Sequence, residues 1–440
     1  MFRLPLACLG LLSLGVLDTL PGSSLVEAAE TQPTVSEPAP SEGAAPAADA
    51  TSEDAASDDA LSMIDYVFPD VPPNRLGYDG ENLSIRPIIA VVTDYTVFEQ
   101  DDSSLAQVGK QGDTRDLRAA RLGLILRSKR ERNWEFYFAA DYQEQRTRED
   151  ATFRLYDLRL RIPFGRVNLD IGKQKQPFAF EIVPLSILNP QQERILSPFF
   201  VTRSVGIKAS GQMAGDRVTW SAGWFNDWLE SSATFSDNAN DYVARVTGLV
   251  TAAEDDRHYL HLGLGARRAG PDAGEIRLSG RPESNVADRY VDTGEFAASH
   301  AEEIGLELVW GRGPFMLLAE HIEARTHAPE SGDPRFSGGY LTLAWMLTGE
   351  SRPYIRSAGM TGPITPFTHR GAMELVARYS HLDLTDGAID GGVLDKWHFG
   401  FNWWSSRQWK AGVSYGDADL DRGGTTGNTR MLLFRLQWYY

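Results

Sequence analysis

From about residue 84 to residue 440 the chain alternates apolar and polar side chains with a period of two, over stretches of ten to twelve residues at a time. In 134–142 one parity carries Trp134, Phe136, Phe138, Ala140 and Tyr142, and the other carries Glu135, Tyr137, Ala139 and Asp141. Leu158, Leu160 and Ile162 oppose Asp157, Arg159 and Arg161 in the same way, and Leu260, Leu262, Leu264 and Ala266 oppose His261, Gly263, Gly265 and Arg267. A period of two belongs to strands, whose successive side chains point to opposite faces. Length narrows the choice further: strands of ordinary globular domains average about 5 to 6 residues, whereas one tilted across a bilayer takes roughly 9 to 11. A soluble sandwich alternates too, with its apolar faces turned inward. A closed membrane barrel reverses that arrangement, giving the apolar face to lipid and the face with Arg159, Arg161, Glu303 and Glu307 to an aqueous interior. The expected fold is all-β, a transmembrane antiparallel β-barrel.

Counting such stretches gives sixteen, over 84–96, 115–127, 134–144, 152–162, 166–174, 201–211, 216–227, 240–251, 257–269, 301–312, 313–324, 336–348, 371–384, 394–406, 407–417 and 429–440. An even number lets an antiparallel sheet close with both ends on one side and no unpaired edge facing lipid. Short connections such as Gly311-Arg312-Gly313-Pro314 contrast with long ones at 175–200, 270–300 and 349–370, and the pattern predicts short turns at one rim and long loops at the other.

Ahead of the barrel, Arg3, the largely apolar run Leu4 to Leu17, the breakers Pro21 and Gly22, and Val26-Glu27-Ala28 read as a secretory signal over 1–28. The stretch 29–60 is Ala- and Pro-rich with eight carboxylates and no Lys or Arg, so it has little to bury and is expected to be disordered. Residues 61–83 lead into a barrel over 84–440. The single cysteine, Cys8, lies in the signal, which leaves the rest without thiol chemistry. With a net charge of -17, nucleic acid is not an expected partner. Gly-x-Ser-x-Gly, His-Glu-x-x-His and a nucleophilic cysteine are all missing from the sequence, and its eight histidines are scattered. The reading is therefore a channel for small solutes with no cofactor and no metal. A structural or adhesive barrel is the alternative, and an outer-membrane lipid hydrolase stands behind it.

For a channel the chemistry is the charge along its lumen. Parity turns Arg121, Arg127, Arg159, Arg161, Lys208, Arg245, Arg267, Arg378, Lys410 and Arg435 inward, together with Glu135, Asp141, Asp157, Asp170, Glu303, Glu307 and Glu374. The segment Gln174 to Phe200, stiff with Pro177, Pro184, Pro190 and Pro198 and carrying Phe178 and Phe180, is the candidate constriction loop, folded inward and presenting Glu193 and Arg194.

Several segments taken in order resemble the phosphate-selective porin O and P family. They are Leu117-Arg118-Ala119-Ala120-Arg121-Leu122-Gly123-Leu124, the run Asp170 to Phe178, Gln192-Glu193-Arg194, Trp220 to Asn226, Leu347 to Tyr354 and Gly371 to Ser380. The resemblance spans about 80 to 440. It implies a sixteen-stranded outer-membrane barrel, usually a homotrimer, in which an inward loop and lumen arginines attract inorganic anions such as phosphate. Arg194 carries over as a constriction residue, whose planar guanidinium suits phosphate oxygens, with Glu193, Lys173 and Lys175 beside it. The two lysines share parity with Ile171 and are expected beyond the regular strand, at the loop root. The chain departs from the family at Ile182-Val183-Pro184-Leu185-Ser186-Ile187-Leu188, where phosphate-binding members carry lysines. The closing Trp438-Tyr439-Tyr440 resembles the signal read by the barrel-assembly machinery, and the apolar faces require outer-membrane lipid around them.

Overall fold

The computed structural model describes residues 76–130, 133–143, 152–226, 238–253 and 257–440; the signal and acidic tail expected over 1–60 lie outside them. Sixteen long strands follow one another, here labelled β1 Leu83–Gln100, β2 Thr114–Ser128, β3 Glu135–Gln143, β4 Thr152–Phe164, β5 Val167–Gln174, β6 Ser204–Met213, β7 Val218–Asn226 and β8 Asn238–Ala252. They continue as β9 His258–Pro271, β10 His300–Arg312, β11 Phe315–His327, β12 Arg335–Met346, β13 Ala372–Asp386, β14 Ile389–Trp404, β15 Trp409–Arg422 and β16 Thr425–Tyr439. Each strand pairs antiparallel with its sequence neighbours, and β16 returns to β1 with Ala90 opposite Tyr439 and Gln100 opposite Thr429. The sheet is closed, which removes the edges that lipid would leave unsatisfied.

Alternation is visible wall by wall. Leu262, Leu264, Ile304, Leu306, Leu341 and Leu343 stand exposed on the outside, while their neighbours His261, Arg267, Glu303, Glu307, Tyr340 and Thr342 are buried within. Aromatic pairs mark the outer face toward the rims, Phe315 stacked on Trp345 and Trp409 against Trp438 at one end, Tyr379 against Trp397 toward the other.

Antiparallel order assigns every connection to a rim. The connections after β1, β3, β5, β7, β9, β11, β13 and β15 lie opposite the rim where β1 begins and β16 ends. The long segments 175–203 and 272–299 are on that opposite rim, as expected. The expectation fails for 349–370: the connection after β12 stands among the short turns of the terminus-side rim, and the connections after β13 and β15 on the other rim are only two residues long. Loop length therefore does not sort by rim here, because 347–371 folds back into the barrel as the two opposite loops do. A seven-residue helix, α1 at Asp102–Val108, caps the connection after β1, and the Asp101 carboxylate accepts from the Ser104 amide at its start.

Candidate functional site

Glycines in the wall make room for the inward loop. A Cβ on Gly265 of β9 would stand 2.1 Å from the Phe178 carbonyl oxygen, and one on Gly338 of β12 would meet Leu196 and Phe199 at 2.9 Å. With those seats empty, segment 175–203 runs from β5 across the lumen to the far wall. There Lys410 donates to the Asn189 carbonyl at 2.9 Å, Asn402 to Pro190 at 2.8 Å and Arg435 to Gln192 at 2.6 Å, and Arg352 of the 347–371 connection donates to Leu188 at 2.8 Å. Glu320 of β11 accepts from the amides of Phe180 and Glu181 at 2.7 and 3.0 Å. Carbonyls that no strand satisfies are thus met by side chains of the wall, as buried backbone requires.

Two further loops fill the same half of the lumen. From 272–299, the Pro282 carbonyl accepts from Lys396 at 2.8 Å and Tyr290 bonds Thr429 at 3.1 Å. From 347–371, Tyr354 meets His261 at 2.6 Å, and the Gly359 carbonyl accepts from Arg245 at 2.8 Å.

All ten cations assigned inward by parity face the interior, but they divide into two groups. Arg245 is paired with Glu307 at 2.7 Å, Arg267 with Asp241 and Glu303 at 2.9 and 3.0 Å, and Arg435 with Asp94 at 2.7 Å. Together with Arg378 and Lys410 they are dry and hold loops or strands in place. On the β2 to β6 side Arg127, Arg161 and Lys208 keep side-chain exposures of 25%, 16% and 14%, paired to Glu135 and Asp170. Arg159, with Glu135 as its partner, and Arg121, 11% exposed and paired with Asp141, complete that group. Water therefore reaches the interior along this side. Of the inward acids, Asp141 pairs with Arg121 and Glu374 with Arg352.

Where 175–203 meets this wetted side, two β-bulges redirect side chains that alternation alone would send to lipid. Between Thr93 and Val92 the register of β2 skips Arg118, and opposite Ala139 and Ala140 the register of β4 skips Tyr156. A bulge places two residues against one and re-aims the extra side chain. Arg118 thereby reaches Glu193 at 2.6 Å. Tyr156 carries the guanidiniums of Arg121 and Arg203 at 3.5 and 3.3 Å from its ring centroid, so they must occupy its two faces. Arg203 also bonds Asp157 at 3.0 Å, yet its Nη1 is buried with no hydrogen-bond partner.

Glu193 lies between Arg118 and Arg435, 3.2 Å from the latter. Burial would raise its carboxyl, but Arg118 and Arg435 hold it at about 2. Arg194 donates Nε to the Glu181 carbonyl at 2.6 Å and gives no terminal amino group to any described residue. Arg281, from 272–299, is near enough to Glu193 and Arg118 to feel both charges. Lys175 does stand at the loop root, with its ammonium held by the carbonyls of Ile182, Val183 and Pro184 at 2.8, 3.1 and 2.6 Å. Burial, with Arg203 and Arg194 nearby, pulls that ammonium well below its usual range. Lys173 departs from the expectation: it lies inside β5, buried, although Ile171 of the same parity is exposed. Gly172 between them, at φ 121°, breaks the alternation. The cluster where 175–203 meets the wetted side thus gathers five guanidiniums, from Arg118, Arg121, Arg194, Arg203 and Arg281, against the carboxylates of Asp141, Asp157 and Glu193.

A family model described as phosphate-selective porin O and P matches residues 91–440. The chain belongs to that family. Membership places this porin's barrel in the outer membrane. Porin O of Pseudomonas aeruginosa is 30% identical over 130 residues, 27% of this chain and 30% of that one. An uncharacterized protein of Caulobacter vibrioides is 30% identical over 168 residues, 36% of this chain and 34% of that one. The porin thus spans about a third of the curated relatives it matches. Among solved structures, the outer membrane channel DcaP of Acinetobacter baumannii superposes with a TM-score of 0.53 at 11% identity, over 83% of this chain and 99% of that one. The anion-selective porin from Comamonas acidovorans gives 0.50 at 11% identity, over 81% and 100%. OmpT of Vibrio cholerae gives 0.51 at 10% identity, over 83% and 100%. At such identities the likeness is one of fold.

Proposed function

We propose that this porin is a passive channel preferring small inorganic anions, phosphate among them, and that the passage runs along the β2 to β6 wall past Arg194. The observation that carries this reading is the surplus of guanidinium at this cluster, where among the described residues Arg203 Nη1, buried, and the terminal amino groups of Arg194, partly exposed, have no protein acceptor. A tetrahedral oxyanion offers acceptors to several such groups at once, each contact too weak alone to trap it. Arg118, Arg121 and Arg203 supply the charge that the Ile182 to Leu188 stretch lacks in lysines. Arg127, Arg161 and Lys208 continue the positive path to the terminus-side rim. On this reading that rim faces the periplasm, the chain acts as no enzyme, a signal over 1–28 exports it, and three copies associate in lipid after the assembly machinery reads the final strand.

The test is the reversal potential of the purified porin in a planar bilayer under a salt gradient, followed by titration with inorganic phosphate. Anion preference with block by phosphate supports the reading, and Arg194→Glu should then reduce both. A cation-preferring pore would remove the anion assignment. Loss of all conductance would favour the structural or adhesive barrel.

A further inference from the structure

One arginine that touches no passing solute is tied to both loops of the constriction. Arg378, on β13, is among the largest fully buried side chains. Its Nη2 is 2.6 Å from Glu181 of 175–203, and its Nε is 2.7 Å from Glu283 of 272–299. Tyr340 lies flat beneath the guanidinium, 3.7 Å from ring centroid to Cζ, and Thr342 accepts from Nη1 at 3.1 Å. Wall and both loops therefore share a single planar fork.

Each arm continues to a constriction guanidinium. The backbone carbonyl of Glu181 is the acceptor for Arg194 Nε at 2.6 Å, so fixing Glu181 fixes the root of Arg194. The amide of Glu283 donates to the Arg281 carbonyl at 2.8 Å, and Glu283 itself sits at φ 51°, a left-handed conformation uncommon outside glycine. Such a conformation persists where surrounding contacts overdetermine it. Here the contacts are Arg378, Ser380 at 3.0 Å and Lys396 at 3.4 Å.

We infer that Arg378 is a positioning residue for anion selection, setting through Glu181 and Glu283 where Arg194 and Arg281 stand in the constriction. A lysine at this place can satisfy one carboxylate but not the fork, and removal of the arginine leaves the buried Glu181 carboxylate without its cation and Glu283 with Lys396 alone. The loops then settle independently, and the two guanidiniums lose their fixed separation.

This inference rests on the anion-channel reading, and the experiment keeps the two apart. Wild type, Arg378→Lys, Glu283→Gln and the triple variant Arg378→Met, Glu181→Gln, Glu283→Gln are reconstituted, and phosphate block and reversal potential are measured on each. Folding is checked by heat-modifiable migration. The expected result is phosphate block weakened about fivefold or more in each variant, the lower end of typical site coupling, with a smaller reversal potential and an intact barrel. The triple variant matters because it removes Arg378 together with both of its carboxylates; Lys396, which then loses Glu283, keeps the Pro282 carbonyl at 2.8 Å, so this variant should fold even if a single substitution at Arg378 does not. Glu283→Gln also tests the idea alone, since it lies off the path and affects only the 272–299 arm. Unchanged block and reversal potential in folded Glu283→Gln and in the triple variant would overturn the inference. A wild-type channel that phosphate does not block would instead defeat the anion reading itself.

Discussion

Phe178 can lie against β9 only because residue 265 is glycine, its Cβ position 2.1 Å from a backbone oxygen that cannot yield. Gly265→Val should therefore lift the 175–203 loop from the wall, cost on the order of 1 to 3 kcal/mol as overpacking does, and enlarge the single-channel conductance. A folded variant with unchanged conductance would mean that the loop does not limit flow. Tyr156 is the second residue whose loss should be diagnostic. Replacing it by Leu removes the surface on which Arg121 and Arg203 are stacked, and weaker phosphate block with normal assembly is the expected result. Glu193 sets a pH dependence. Its carboxyl ordinarily titrates at 4.5 and is held at about 2 in the fold, so the stability it adds is present above 4.5 and is lost as pH falls through 2. Selectivity should accordingly stay level from pH 8 down to about pH 3, and a midpoint near 4.5 would show Glu193 to be unpaired.

Elements were legible in the sequence wherever alternation was regular. β9, β10, β12 and β14 lie within a few residues of the stretches expected for them, and the inward parity of Arg245, Arg267 and Arg378 followed directly. The site was less legible, for a physical reason in each case. Arg118 and Tyr156 stand on bulges, and a bulge is a property of two paired strands that one strand's pattern does not carry. Lys173 was misplaced because Gly172 breaks the pleat, a signal present in the sequence as glycine near a strand end. Arg281 lies outside strands, where parity says nothing; Arg203 falls in the expected stretch 201–211, where parity, with Lys208 inward, turns it outward, but the strand begins only at Ser204 and leaves Arg203 free to turn in. The rim of 347–371 could have been found by counting strands, since an even number of strands precedes it. Two predictions follow at this scale. Deleting Arg118 should remove the bulge while keeping Leu117 opposite Thr93 and Ala119 opposite Val92, leaving a heat-modifiable barrel with weaker phosphate block. Replacing 351–369 by a short turn should raise conductance by unblocking the β8 to β13 side, and an unchanged value would show that side to be closed by the other two loops.

At the scale of the molecule, the lumen is an asymmetric object: loops from both rims pack one half solid with paired charge, and the other half keeps water and surplus guanidinium. Ion pairs buried in this way are weak contributors to stability, but they fix which loop lies where, and a channel needs that definition more than it needs a few kcal/mol. Removing 30–60 should leave the barrel folded, as judged by heat-modifiable migration, and loss of that migration would assign the acidic tail a structural part. Truncating Tyr439-Tyr440 should reduce the amount reaching the membrane, and normal surface levels would count against an assembly signal there.

The seam between β1 and β16 has a bearing on timing. Ile89 exchanges backbone hydrogen bonds with Tyr440 at 3.1 and 2.7 Å, so one of the earliest strands finds its second partner only in residues made hundreds of positions later. Closing so long a loop is entropically slow compared with zipping neighbouring hairpins. Until it happens, both margins of the sheet stay open to the wrong neighbour. Assembly of such a chain has a natural checkpoint: a chain that stops short of β16 leaves a sheet unable to shut.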